Sequence, residues 1–223
     1  MSGPGPLALV GGGEWQDGCT FDRELLEASG ATEVLVLPTA AAYEHPERAV
    51  ATASRWFEGL GASARGLMVL GRHDAEAPAH ADAVREARFV YIGGGSPLHL
   101  RSVLKESAVW DALVSAWQGG AVLAGSSAGA MVLTDPMVDP RGGAFTVGLG
   151  LVAQLAVIPH HDSWSHDKAR RTIDLAQPGL PVVGIDERTA LILDHGAGWR
   201  ASGAGQVQVW LDGHEAGLDA LPA

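Results

Sequence analysis

The chain has 223 residues, 47% of them hydrophobic, which suffices for one large domain with a sizeable core, and no apolar run approaches the roughly 18 residues that a membrane-spanning helix requires. Fifteen lysines and arginines against 26 aspartates and glutamates leave a net charge of −11, whose field repels phosphate backbones and anionic membranes, so neither nucleic acid nor membrane is an expected partner. The single cysteine, Cys19, excludes an internal disulfide and a cysteine-built zinc site, and with no export-type leader in residues 1–6 the expected compartment is the cytoplasm.

Short aliphatic or β-branched runs alternate with longer amphipathic stretches, the rhythm of βαβ units. The first predicted strand is Leu7 to Val10, closing in three glycines at 11–13. Residues 33–38 predict a second, followed by a helix from His45 to about Leu60, with Pro46 in its first turn, where a missing N–H costs nothing, and Gly61 at its end. Residues 67–70 and 89–92 predict strands three and four around a helix near 79–87, and such weak alternation suits strands buried on both faces. Helices over 97–104 and 109–117 precede a fifth strand at 121–124. After a looser stretch from 133 to 150, residues 151–159 predict a strand, 165–175 a helix and 182–185 another strand. Residues 190–193, 198–201 and 206–211 alternate between glycine-containing turns, as an antiparallel edge does. The expected fold is therefore α/β: one domain over 1–223, with a mostly parallel doubly wound sheet flanked by helices and an antiparallel C-terminal edge.

Residues 121–131, AVLAGSSAGAM, set Gly-x-Ser-x-Gly directly between a buried strand and a helix-compatible run, the context that makes this pattern a nucleophile elbow. In that register Ser127, not Ser126, is the candidate nucleophile; read blandly, the same residues are a glycine- and serine-rich turn without chemistry. A serine nucleophile needs a base. Of the nine histidines, His45, His73, His80, His99 and His214 lie in polar or helical contexts that suit solvated side chains. His160 instead ends the apolar run 155–159 at a strand's carboxyl edge, where open α/β sheets assemble their sites. Glu187 follows a buried strand in the same way and is a carboxylate able to orient an imidazole, with Asp186 an equally acidic neighbour. The Ala128 amide and those of Gly94 or Gly95, in the glycine run 93–95, are candidate oxyanion donors, since glycine has no Cβ to block approach. Neither glycine run has the spacing of a dinucleotide fingerprint or a P-loop. His160, His161, Asp162, His166 and Asp167 are dense in metal-ligand types, but they read more simply as a helix cap by Asp162 or Ser163 and an exposed first turn, and no metal or other cofactor is expected.

Five segments in this order, LVGGG (9–13), FVYIGGGS (89–96), LAGSSAGAM (123–131), IPHH (158–161) and VGIDERTALIL (183–193), resemble the dipeptidase E and cyanophycinase family of serine peptidases, which have the class I glutamine amidotransferase-like fold. The resemblance implies Ser127 as nucleophile, His160 as base and Glu187 as third member. An α/β-hydrolase would place its histidine last, and a glutamine amidotransferase would carry cysteine at the elbow. It further implies hydrolysis of short peptides at an aspartyl residue through an acyl-enzyme. The alternatives are a cyanophycinase-like β-aspartyl peptide hydrolase and a catalytically silent amidotransferase-like binding protein. The second glycine run leads into Ser96 and Pro97 where the family usually has Asn-Thr or Asp-Gln, and Asp135 and Asp139 match only roughly the aspartate that dipeptidase E carries downstream of its elbow. An acidic substrate on a chain of charge −11 demands a local basic group, for which Arg170 and Arg171 after His160, and Arg141 after the elbow, are candidates. The expected partner is a small peptide substrate, with homodimerisation left open.

Overall fold

The computed structural model describes residues 3–222. Its strands of three or more residues are β1 (Leu7–Val10), β2 (Glu33–Leu37), β3 (Ser63–Gly66), β4 (Phe89–Ile92), β5 (Val122–Ser126), β6 (Ala156–Ile158), β7 (Val182–Ile185), β8 (Thr189–Asp194), β9 (Gly198–Gly203), β10 (Val207–Leu211) and β11 (His214–Ala216). The helices are α1 (Phe21–Ser29), α2 (Pro46–Gly59), α3 (Arg72–Ala75), α4 (Pro78–Glu86), α5 (Pro97–Leu104), α6 (Ala108–Gln118), α7 (Ala128–Leu133) and α8 (His166–Asp174). A seven-stranded sheet runs β9–β8–β1–β5–β4–β2–β3, in which β1 to β5 are mutually parallel and β8 and β9 form an antiparallel edge.

Alternate residues of these strands enter two cores. Ala8, Val10, Val34, Val36, Phe89 and Tyr91 face α1 and α2, where Phe57 packs edge-on to Phe89 at 5.9 Å between ring centroids. Leu7, Leu9, Leu35, Leu37, Val90 and Ile92 face the opposite core, which takes in α4 to α7. Both faces being covered explains why the strands lack polar alternation. Among the described residues no helix is long and apolar enough to cross a membrane.

The sheet departs from expectation in two places. Strand three is Ser63–Gly66, pairing with β2, while Leu67 and Val69 are buried without joining the sheet. β3 is an edge strand with partly exposed side chains, so its apolar signal is weaker than that of the segment that follows it. The strands expected at 151–159 and 182–185 do not extend the main sheet either. β6 and β7 pair in parallel inside a second, four-stranded sheet, β6–β7–β10–β11, whose other pairs are antiparallel. Residues 151–159 are split, Val152–Ala153 pairing instead with Thr134–Asp135. The second sheet carries the segments after β6 and β7 to the carboxyl end of β5.

Candidate active site

Ser127 lies between β5 and α7 with φ 49° and ψ −106°, a region costing a non-glycine residue about 1–3 kcal/mol, held here because its amide donates to Val10 O at 2.9 Å. The flanking glycines permit the turn. A Cβ on Gly125 would stand 2.7 Å from the Gly129 carbonyl carbon, and one on Gly129 would stand 2.6 Å from Ile92 O. Strand and helix therefore close on each other through glycine and push the serine side chain outward.

His160, at the end of β6, also has a positive φ of 50° and donates its amide to Gly11 O at 2.7 Å. Its Nε2 lies 3.0 Å from Ser127 Oγ and its Nδ1 lies 2.7 Å from Glu187 Oε1. Gly12 leaves the ring its place, since a Cβ there would fall 2.2 Å from His160 Cε1. Glu187 is fixed through its backbone, its amide donating to Asp162 Oδ1 and its carbonyl accepting from Thr189 Oγ1, both at 3.1 Å. Asp186 turns elsewhere, accepting from the Gln206 amide at 2.9 Å and facing His161 at 3.6 Å. Two loops from the second sheet thus meet one elbow from the first in a Ser127–His160–Glu187 chain.

The expected oxyanion donors differ in occupancy. The Gly94 amide donates to Glu14 Oε1 at 3.2 Å. Those of Gly95 and Ala128 meet no protein acceptor among the described residues. Gly95 has φ +134°, and a Cβ on it would lie 2.3 Å from Ala40 O, so only glycine fits the loop there.

The family model for peptidase family S51 matches residues 7–198. The chain belongs to peptidase family S51. This S51 member is a serine-type peptidase, similar over 218 residues at 25% identity to the cyanophycinase of Trichormus variabilis, which covers 91% of this chain and 72% of that protein. Peptidase E of Citrobacter koseri is 28% identical over 134 residues, 55% of this chain and 58% of its own. A crystal structure of a peptidase from an acI-B1 actinobacterium has a TM-score of 0.86 at 31% identity, covering 96% of this chain and 93% of that one. A Listeria monocytogenes structure bearing the Peptidase E name shares the fold, with a TM-score of 0.71 at 18% identity over 91% of this chain and all of its own.

The S51 chain brings together the serine, histidine and glutamate read from its sequence, but not the three arginines. Arg141 makes a two-pronged contact with Asp139, at 3.0 and 2.7 Å, which holds the Asp139 carboxyl down at about 2. Arg170 pairs with Asp174 at 3.0 Å, and Arg171 is exposed. Asp135 accepts from the Gly148 amide at 2.9 Å. The cap of α8 is Ser165, whose Oγ accepts from the Lys168 amide at 3.3 Å, and not Asp162 or Ser163: Asp162 is drawn to the Glu187 amide, and the cap lies two residues beyond Ser163. Among the described residues no group of three or more histidine, cysteine, aspartate or glutamate side chains is arranged to hold a metal. Glu14 was not legible as part of this site. Its Oε2 accepts from Ser126 Oγ at 2.7 Å, linking the turn after β1 to the elbow. The available signal was position, since Glu14 follows a buried strand and a glycine run much as Glu187 follows β7.

Proposed function

We propose that this S51 peptidase hydrolyses short peptides through a Ser127–His160–Glu187 triad and an acyl-enzyme. The observation that carries the reading is the pair of contacts at 3.0 and 2.7 Å linking the three side chains, with the serine on a strained elbow. Ser127 Oγ attacks the scissile carbonyl carbon while His160 Nε2 takes the hydroxyl proton. Glu187 accepts from Nδ1–H, fixing the tautomer and favouring the imidazolium that forms. His160 then hands its proton to the departing amine, and a water deprotonated by the same nitrogen releases the acid and restores Ser127. Gly95 and Ala128 are the better-suited oxyanion donors, because their amides are uncommitted whereas that of Gly94 is engaged.

The proposed substrate carries an acidic residue before the scissile bond, with Arg141, Arg170 and Arg171 the basic groups proposed to answer it. Of these Arg171 has no ion-pair partner to give up among the described residues, while the other two must exchange theirs. A second reading, hydrolysis of a β-aspartyl peptide of the cyanophycin kind, draws on the cyanophycinase likeness over 91% of the chain. Labelling with a fluorophosphonate followed by peptide mapping tests the chemistry: the expected adduct is on Ser127, and absence of an adduct there removes the acyl-enzyme route. Comparing aspartyl-leucine, asparaginyl-leucine and alanyl-leucine with β-aspartyl-arginine tests the substrate; equal kcat/KM on the first three defeats acidic selectivity, and preference for the fourth favours the second reading.

A further inference from the structure

The three elements that carry the triad meet a second time at their opposite ends. Ser127 opens α7, which runs down to Thr134 and Asp135; His160 comes after β6, which begins just past Gln154; Glu187 comes after β7, which begins just past Leu180. Six helical residues at about 1.5 Å each, or three to four strand residues at about 3.3 Å each, place those ends roughly 10 Å from the triad. There Asp135, Gln154 and Leu180 line one cleft of about 450 Å³ together with Phe145, Leu175 and Gln177. The elements are tied to one another at this end. The Gln154 amide donates to Asp135 O at 2.8 Å, Asp135 pairs in register with Ala153, and β6 and β7 are parallel neighbours.

The lining has the chemistry of a ligand site. Asp135 Oδ1 accepts from the Gly148 amide, and no lysine, arginine or histidine pairs with this carboxylate among the described residues. Among the described residues the glutamine carboxamides that make hydrogen bonds are those of Gln16, Gln206 and Gln208, which leaves Gln154 and Gln177 free to donate. Gln154 has φ 58°, in the left-handed region that favours glycine, and such strain gathers at ligand clamps. Leu175 is a large apolar side chain left 47% exposed at the rim. An unpaired carboxylate calls for an ammonium, two carboxamides suit a carboxylate, and Phe145, Leu175 and Leu180 suit an aliphatic group. One small molecule carries all three, a zwitterionic amino acid, and the cleft lies within the roughly 300–1,000 Å³ of small-ligand sites.

We propose that this cleft binds a free α-amino acid with an aliphatic side chain and that its occupancy is felt at the triad. Hydrolysis of short peptides releases molecules of this class. The ligand would join Asp135 at the foot of α7, Gln154 at the foot of β6 and Gln177 before β7, and those elements meet again where Ser127 Oγ lies 3.0 Å from His160 Nε2. A shift of a fraction of an ångström in that contact is enough to change turnover. Binding stands whatever Ser127 does; the coupling rests on the triad reading.

The test is a calorimetric titration of the whole chain with L-leucine, N-acetyl-leucine and leucinamide, on wild type, Asp135→Asn, Gln177→Ala and Ser127→Ala. Leucine is expected to saturate with a Kd on the order of 1 mM or below, and each blocked form, lacking one charge, to bind about tenfold more weakly or worse. Asp135→Asn and the exposed Gln177→Ala should each weaken leucine about fivefold, whereas Ser127→Ala should leave its Kd within about twofold. With aspartyl-alanine as substrate, saturating leucine should change kcat about threefold with KM little moved, and Gln177→Ala should need about fivefold more leucine for the same change. No saturation by leucine up to about 20 mM, or equal binding of the blocked forms, overturns the proposal. Leucine that only raises KM, and does so equally in Gln177→Ala, is a product inhibitor at the triad and overturns it too. Binding in the cleft with kcat unmoved overturns the coupling. A wild type that cleaves no peptide and takes no fluorophosphonate at Ser127 brings down the acyl-enzyme reading and the coupling with it, while the titration still decides the site.

Discussion

Two polar clusters lie on either side of the glycine turn that follows β1, and burial has resolved them in opposite directions. On one side His160 packs against Gly12, half exposed, with each ring nitrogen matched to a partner of the Ser127–Glu187 chain. On the other, the Cys19 thiol donates to Gly13 O at 3.3 Å, beside Asp22, Tyr91 and Trp15 in the core under α1 and α2. There burial pushes the Cys19 thiol up to about 11 and raises the Asp22 carboxyl and Tyr91 hydroxyl well above their usual ranges. Asp22 Oδ1, Tyr91 Oη and Trp15 Nε1 have no hydrogen-bond partner among the described residues. The first cluster is partly exposed and each of its polar atoms is paired; in the second, only a few residues away, desolvation outweighs the few hydrogen bonds that favour ionisation, and its groups hold their protons. Titratable residues close to Ser127 thus do not all join its hydrogen-bonded chain, and pairing distinguishes those that do.

The sharpest way to break this comparison is at the elbow. Ser127→Ala and His160→Ala should each lower kcat/KM by on the order of a thousandfold or more, and the double variant should be scarcely worse than either, because the two side chains serve one step. Losses that multiply in the double variant would show separate roles. Next in size is the third member. Glu187→Gln should cost on the order of a hundredfold in kcat with KM little changed, through loss of the group that fixes the His160 tautomer, while Asp186→Asn should leave kcat within about threefold. The reverse ranking, read from the same steady-state assay, would reassign the orienting carboxylate.

What the sequence disclosed follows from where information is local. The parallel half of the main sheet was readable because β1, β2, β4 and β5 are short apolar runs closed by glycine or proline, and burial on both faces removes any competing alternation. The meeting of Ser127, His160 and Glu187 was foreshadowed for a related reason: each lies in the first polar stretch after such a run, and the carboxyl edge of a sheet gathers strand ends. Sheet membership was not, since Ala156–Ile158 and Val182–Ile185 are as apolar as any central strand and only long-range pairing with Val207–Leu211 separates them into a second sheet. The segment 67–70 misled because Leu67 and Val69 are buried by packing beyond the end of β3, where a single bond from the Leu67 amide to Val36 O is the last contact with β2. The arginines were beyond reach for another reason, as the partner of a surface guanidinium is set by its nearest acid, Asp139 for Arg141 and Asp174 for Arg170.

The smallest expected effect probes the silent cluster. Asp22 is fully buried, and desolvation raises its carboxyl above the unfolded-state value of about 3.9, although Trp56 Nε1 donating at 2.8 Å partly opposes this. With the folded value raised, the unfolded chain ionises first, so from about pH 4 upward unfolding releases a proton and stability falls as pH rises towards the folded value. Asparagine keeps an oxygen for Trp56 and cannot ionise, which removes that slope at the cost of burying an NH2 group where Oδ1 already lacks a partner. Asp22→Asn should therefore melt below wild type in acid and gain on it as pH rises above about 4, with kcat/KM on a free dipeptide unchanged throughout. Melting curves recorded across that range check the sign, and a difference in Tm that does not vary with pH would mean that Asp22 carries its charge in the folded protein, placing it with the active-site carboxylates after all.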